Sequence, residues 1–208
     1  MKERSVAAAA LGLSMLISGC GANLVRFEDF PENAPLVIVS DGLLSGDARS
    51  FFEEFCRKDN VPYIGEDNVC WFKNKGAIEQ AYRQGREIIL VGYSSGCDQV
   101  RLIGQWCKER EIPVHFIFFD PTYLQGNPGK SIPGNVRNVI TYLSERNIPD
   151  FFSGYGKGRA VSDFDLENRA TSYSNRQLTG SHLGIFNNNK FILNREIQTI
   201  IRNNYRRK

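Results

Sequence analysis

Apolar residues along this chain fall into two kinds of run. The first kind is short, continuous and rich in β-branched or aromatic side chains: LVIVS from Leu36, EIILVG from Glu87, VHFIFFD from Val114 and NVRNVITYLS from Asn135. A run that is apolar at nearly every position marks a strand covered on both faces. The second kind spaces its apolar residues three and four apart, in ARSFFEEFCRKD from Ala48, GAIEQAYRQG from Gly76, CDQVRLIGQWCKEREI from Cys97 and NREIQTIIRNN from Asn194. These predict helices, the second closed by Gly85 and the third by Pro113. VPYIG from Val61 and VCWF from Val69 are shorter strand candidates. Strands alternate with helices, which predicts the α/β class: a mostly parallel sheet with helices on both faces. Two stretches carry no period, PTYLQGNPGKSIPG from Pro121 and residues 153–182. Aperiodic segments of that length inside a compact domain often carry function.

The amino end follows a different logic. Lys2 and Arg4 precede VAAAALGLSMLI, an apolar run with the length of a signal-peptide core rather than a membrane span. LISGC, Leu16 to Cys20, follows it and resembles the lipobox of bacterial lipoproteins. That resemblance implies that residues 1–19 are removed, that Cys20 is lipidated, and that the protein is held on the periplasmic side of the cell envelope, with Gly21 fitting the outer-membrane sorting pattern. A plain signal peptide with a free cysteine is the alternative. Residues 20–34, which contain a proline and no sustained period, read as a tether, and residues 35–208 as one domain. A chain of 208 residues with 26 basic and 23 acidic side chains gives no reason to expect a nucleic-acid partner.

With Cys20 acylated, Cys56, Cys70, Cys97 and Cys107 remain in a compartment that permits disulfides. Cys97 and Cys107 share one predicted helix, roughly 15 Å apart, too far to bond. Cys56 with Cys70 is the favoured bridge, and the other reading is four small buried apolar residues.

GYSSG, Gly92 to Gly96, interrupts the chain between a buried strand and a helix. It is either an ordinary tight turn or a strained corner that lifts Ser94 above the carboxyl edge of a sheet. In the second case the helix start places backbone N–H groups and the positive end of a dipole beside the hydroxyl. The amide of Ser95 is then one oxyanion donor, and DGLLSG after the first strand offers a second at Leu43. A nucleophilic serine needs a base, and the chain has two histidines. His115 lies within an apolar strand and reads as structural. His182, in TGSHLGI before the last helix, is placed to be the base. Asp120, ending HFIFFD, is the favoured orienting acid; Asp163 and Asp165 compete with it, and the following Pro121 allows a simple turn.

The order Ser94, Asp120, His182, together with DPTYL, IPGNVRNVITYL and GSHLGI, resembles the α/β-hydrolase superfamily and within it the thioesterase-domain branch, over roughly Pro35 to Asn204. The resemblance implies a serine hydrolase that cleaves a small acyl ester or thioester through an acyl-enzyme, with no metal and no cofactor. Cys97 and Asp98 depart from the small residues usual after the serine corner. Two other functions fit the same chain: a cutinase- or lipase-like esterase, and a non-catalytic envelope binding module on a hydrolase scaffold.

Overall fold

The computed structural model describes residues 25–42, 47–66, 71–121, 131–144, 165–181 and 184–205. In chain order they form β1 (Leu36–Ser40), α1 (Asp47–Asp59), β2 (Tyr63–Glu66), α2 (Lys75–Arg83), β3 (Ile88–Tyr93), α3 (Gly96–Lys108), β4 (Val114–Phe119), β5 (Ser131–Ile132), β6 (Val136–Ser144), β7 (Asp165–Leu166), β8 (Ser172–Leu178) and α4 (Ile185–Tyr205). Six strands make one sheet in the order β2-β1-β3-β4-β6-β8, every neighbouring pair parallel. β5 and β7 pair separately as a small ribbon. The predicted α/β architecture is the one observed.

The continuous apolar runs become β1, β3 and β4 because each residue of these strands is buried. Leu36, Ile38, Ile88, Leu90, Phe116 and Phe118 face α2 and α3. Val37, Val39, Ile89, Val91, Ile117 and Phe119 face α1 and α4. Each such side chain, removed from water, contributes about 1.5–3 kcal/mol. The second layer is knotted by aromatic rings: Phe119 stacks on Tyr142 at 4.8 Å and meets Phe186 at 4.7 Å and Phe52 at 6.1 Å.

Several elements differ from expectation. Of VCWF, Trp71 and Phe72 belong to a short 3-10 turn, Trp71–Asn74, that leads into α2, and Val69 and Cys70 lie outside the described residues. α3 stops at Lys108, before Pro113, because Glu111 takes a left-handed conformation (φ 57°) and the Ile112 amide returns to the Cys107 carbonyl at 3.0 Å. α4 starts at Ile185, well before Asn194. Asparagine is an indifferent helix former, yet buried Asn189 is satisfied: its amide donates to the carbonyls of Thr179 (2.7 Å) and Ile185 (2.8 Å). β8 lies in the stretch read as aperiodic. It is a largely exposed polar edge strand, so neither a continuous nor an alternating apolar pattern reveals it. Cys56 is a free buried thiol, and Cys70, its expected partner, lies outside the described residues.

The tether is also shorter than its composition suggests. Phe27 is fully buried, and Arg86, itself buried, donates to the carbonyls of Phe27 (3.0 Å), Pro31 (2.6 Å) and Ala34 (3.0 Å) while lying over the Phe27 ring. Ordered packing therefore begins before Pro35, at the amino edge of the sheet, where Leu36 N–H bonds to the Glu87 carbonyl.

Because three rings close on Phe119, Phe119→Ala is expected to destabilise the protein by about 3–5 kcal/mol. The urea midpoint should fall with little change in slope. Phe191, 84% exposed, serves as the control, and its replacement by Ser should shift stability by less than about 0.5 kcal/mol.

Candidate active site

β3 ends at Tyr93 and α3 begins at Gly96, so the chain must turn from strand to helix within Ser94 and Ser95. Ser94 makes the turn with φ 54°, a left-handed conformation that costs a non-glycine residue about 1–3 kcal/mol. Its amide donates to the Phe119 carbonyl at 2.9 Å, and its carbonyl accepts from the Cys97 amide at 3.2 Å. The flanking glycines are set by crowding. A Cβ on Gly96 would lie 2.0 Å from the Ser40 carbonyl oxygen, and one on Gly92 would lie 2.6 Å from Cys97 Cα. The loop after β1 approaches as closely: a Cβ on Gly42 would stand 2.7 Å from Ser94 Cβ and 3.1 Å from its Oγ. GYSSG is thus a strained corner with a second backbone segment pressed against the serine, and not a plain tight turn.

Asp120 follows β4 as Ser94 follows β3, and the register pairs Tyr93 with Phe119, so the two residues leave adjacent strands at the same carboxyl edge. Asp120 is also left-handed (φ 41°) and 4% exposed. Its amide donates to the Tyr142 carbonyl at 2.8 Å, and its Oδ1 accepts from the Ser144 amide at 2.7 Å, which ties it to the end of β6. Asp165 belongs instead to the β5–β7 ribbon, paired with Ser131, whose carbonyl accepts from Arg101 of α3. Asp163 lies outside the described residues.

Ser95 is buried in the turn that opens α3, where first-turn amides lack partners within the helix. Leu43, His182 and Cys20 lie outside the described residues. The connection that contains His182 runs from the end of β8 to the start of α4, also at the carboxyl edge. Asn189 fastens it: besides its two donated bonds, its Oδ1 accepts from the Thr179 amide (3.2 Å) and hydroxyl (3.1 Å).

His115 is 4% exposed, at the opposite edge of the sheet. Asn138 places its amide 2.7 Å from Nδ1, which leaves Nε2–H to donate to Glu87 at 3.1 Å, and Glu87 in turn binds Arg137. It is a structural histidine. Cys97, where the sequence departs from the resembled pattern, is wholly buried, and burial holds its thiol well above the ordinary range. Asp98 pairs with Arg101 at 3.3 Å.

One residue escaped the sequence reading. Asp41 directly follows β1, is 1% exposed, and has Oδ1 buried without a hydrogen-bond partner among the described residues. Its Oδ2 accepts from the Arg49 amide at 3.2 Å, in the first turn of α1, with the Arg49 side chain 3.9 Å away. The carboxylate therefore links the two ends of the loop that contains Gly42 and Leu43. The available signal was a lone acid between an apolar strand and a glycine. Burial pushes its pKa up to about 6, against the opposing pull of Arg49.

A carboxyl group whose pKa is higher in the folded than in the unfolded chain stabilises the fold while protonated. That contribution is full below the unfolded value, 3.8, and is lost as pH rises through about 6. Between about pH 4 and about pH 7 the wild type should therefore weaken relative to Asp41→Asn by on the order of 3 kcal/mol. Urea midpoints of the two proteins across that range provide the check, and a constant difference would overturn the assignment.

No family model matches this chain, and no curated protein is similar to it in sequence. Solved structures are similar in shape. RedJ, a thioesterase of the prodiginine pathway of Streptomyces coelicolor solved with a PEG molecule in its active site, superposes with a TM-score of 0.50 at 13% identity, over 82% of this chain and 91% of RedJ. An esterase of Pyrobaculum calidifontis gives 0.52 at 12% identity, over 83% and 76%. An esterase/lipase from an uncultured bacterium gives 0.51 at 12% identity, over 85% and 78%. Likeness at such identities concerns architecture, and together with the parallel six-stranded sheet it establishes the α/β-hydrolase fold.

Proposed function

We propose that this protein is a serine hydrolase that cleaves an ester or thioester through an acyl-enzyme on Ser94. The observation that carries the reading is the strained left-handed Ser94 with Gly42 packed against its hydroxyl. Strain of this kind persists only where the surrounding structure enforces it, and it concentrates at functional sites. In the proposed reaction Ser94 Oγ attacks the acyl carbon while His182 takes its proton, and the oxygen that becomes negative is held by the amides of Ser95 and Leu43. His182 then returns the proton to the departing alcohol or thiol. Water attacks the acyl-enzyme by the same route in reverse and releases the acid. Asp120 orients His182 and stabilises its charged form. Its place after the strand next to that of Ser94 supports this role, as does the exit of the His182 connection at the same edge. The esterases and the thioesterase that share the fold support ester chemistry. The same reading has the mature chain begin at an acylated Cys20, on the periplasmic side of the outer membrane.

A fluorophosphonate probe should form one adduct per chain, on Ser94 and not on Ser95. An unreacted protein, or an adduct mapped to Ser95, would favour a binding module on the hydrolase scaffold. Asp120→Asn should keep KM and lower kcat by on the order of 10⁴, with Ser94→Ala measured beside it to fix the residual rate. Near-wild-type turnover in Asp120→Asn would remove Asp120 from the reaction.

The anchor has its own test. Cells grown with radiolabelled fatty acid should label the wild-type chain, and Cys20→Ser should abolish the label and leave the precursor uncut. Undiminished labelling in Cys20→Ser would sink the lipid anchor.

A further inference from the structure

Arg86 is a buried cation that the proposed reaction does not use. It gathers the carbonyls of Phe27, Pro31 and Ala34 and covers the Phe27 ring, so the chain is fixed to the domain from Phe27 onward. Arg86 lies just before β3 and Ser94 just after it, which puts the clasp and the serine at opposite ends of one strand. From Ile88 to Tyr93 the strand alone spans about 17 Å at a rise of roughly 3.3 Å per step, and the residues flanking it add to that.

Only seven residue steps separate Cys20 from Phe27. Fully extended, they reach at most about 25 Å, at roughly 3.6 Å per step. Turning the Ser94 edge down to the bilayer would consume most of that length and leave little for the lipid linkage. Any shorter span holds the amino edge down.

We propose that the Arg86 clasp orients the domain with its amino edge toward the bilayer, so that Ser94 opens away from the leaflet that anchors Cys20. Its substrate is then an acyl ester or thioester carried in water, not a lipid of that leaflet. This rests on the reading of Ser94 as nucleophile and Cys20 as anchor, and it adds to both the direction from which substrate arrives.

The test uses the lipidated full-length mature chain in phosphatidylethanolamine–phosphatidylglycerol vesicles with a headgroup energy-transfer acceptor. A donor dye is placed either at Glu109→Cys, exposed at the amino edge, or at Asn187→Cys, exposed in the first turn of α4 at the carboxyl edge. The described native cysteines are all buried, which favours labelling at the introduced thiol. Transfer from position 109 should exceed that from position 187 severalfold. A Gly/Ser insert of about 20 residues between Ala22 and Asn23 should erase the difference. Equal transfer from the two positions with the native tether, or stronger transfer from position 187, overturns the proposal.

Substrate preference is read on the same vesicles. A water-soluble acyl ester should be cleaved at the native tether length, and the same acyl group on a vesicle lipid only after the insert. Cleavage of the vesicle lipid at equal rates with and without the insert also overturns the proposal. If the two dyes report the expected orientation but neither ester is cleaved, the hydrolase reading fails and the orientation stands. If the chain remains in solution and neither dye transfers, the anchor fails and the orientation falls with it.

Discussion

The carbonyl of Ser40 lies so close to Gly96 that no methyl group fits between them. This contact joins the end of β1 to the start of α3 over the top of β3, and the geometry of the carboxyl edge depends on it. With Gly96 held there, the chain has two residues in which to leave β3 and enter the helix, and Ser94 must adopt a positive φ to do so. The same closeness brings Gly42 against the serine hydroxyl, so one steric constraint sets both the strain and the neighbour of the reactive atom. The hydrogen bond from Ser94 N–H to the Phe119 carbonyl extends the constraint to β4. Asp120, the next residue, is left-handed in its turn.

The two edges of the sheet divide the work. Two polar networks hold the amino edge: Arg86 with three carbonyls, and His115 with Asn138 and Glu87, which also holds Arg137. Such networks stabilise a fold and have no spare capacity for chemistry. At the carboxyl edge the accounting is less complete. Asp41 keeps one carboxylate oxygen buried without a partner among the described residues, and two backbone residues stand in a conformation that each would leave if the packing relaxed. Buried groups left short of partners raise the free energy of the folded state. What favours the carboxyl edge for the candidate site is the strained Ser94 with Gly42 against its hydroxyl, to which the well-bonded histidine has no counterpart.

The central strands and the two helices that flank GYSSG were legible because burial on both faces writes a continuous apolar run, and a buried helix face writes a 3.6-residue period. β8 was not, since an exposed edge strand such as SYSNRQL owes its place to backbone pairing with β6, which leaves no apolar pattern behind. The start of α4 was hidden for a related reason. Asn189 is an indifferent helix former by propensity, and only the carbonyls of Thr179 and Ile185 convert it into a brace. In the site, Ser94 and Asp120 were visible through their position after apolar strands. Asp41 has that position too, but its bond to the Arg49 amide belongs to tertiary structure, and no local spacing announces it.

Asp41 shows how the end of β1 is tied to the start of α1. Its Oδ2 takes up an amide in the first turn of α1, a donor that the helix itself cannot satisfy, while its backbone continues directly into Gly42. The helix is thereby fastened to the end of β1, and the intervening loop has fixed ends 41 and 49. Ionising the carboxyl would strengthen that bond and the attraction to Arg49, yet it would also place a charge where one oxygen has no donor among the described residues. Burial wins this competition, since the pKa rises despite both favourable partners. Gly42, which presses on Ser94, thus directly follows a carboxyl whose pKa burial raises to about 6 against the pull of Arg49.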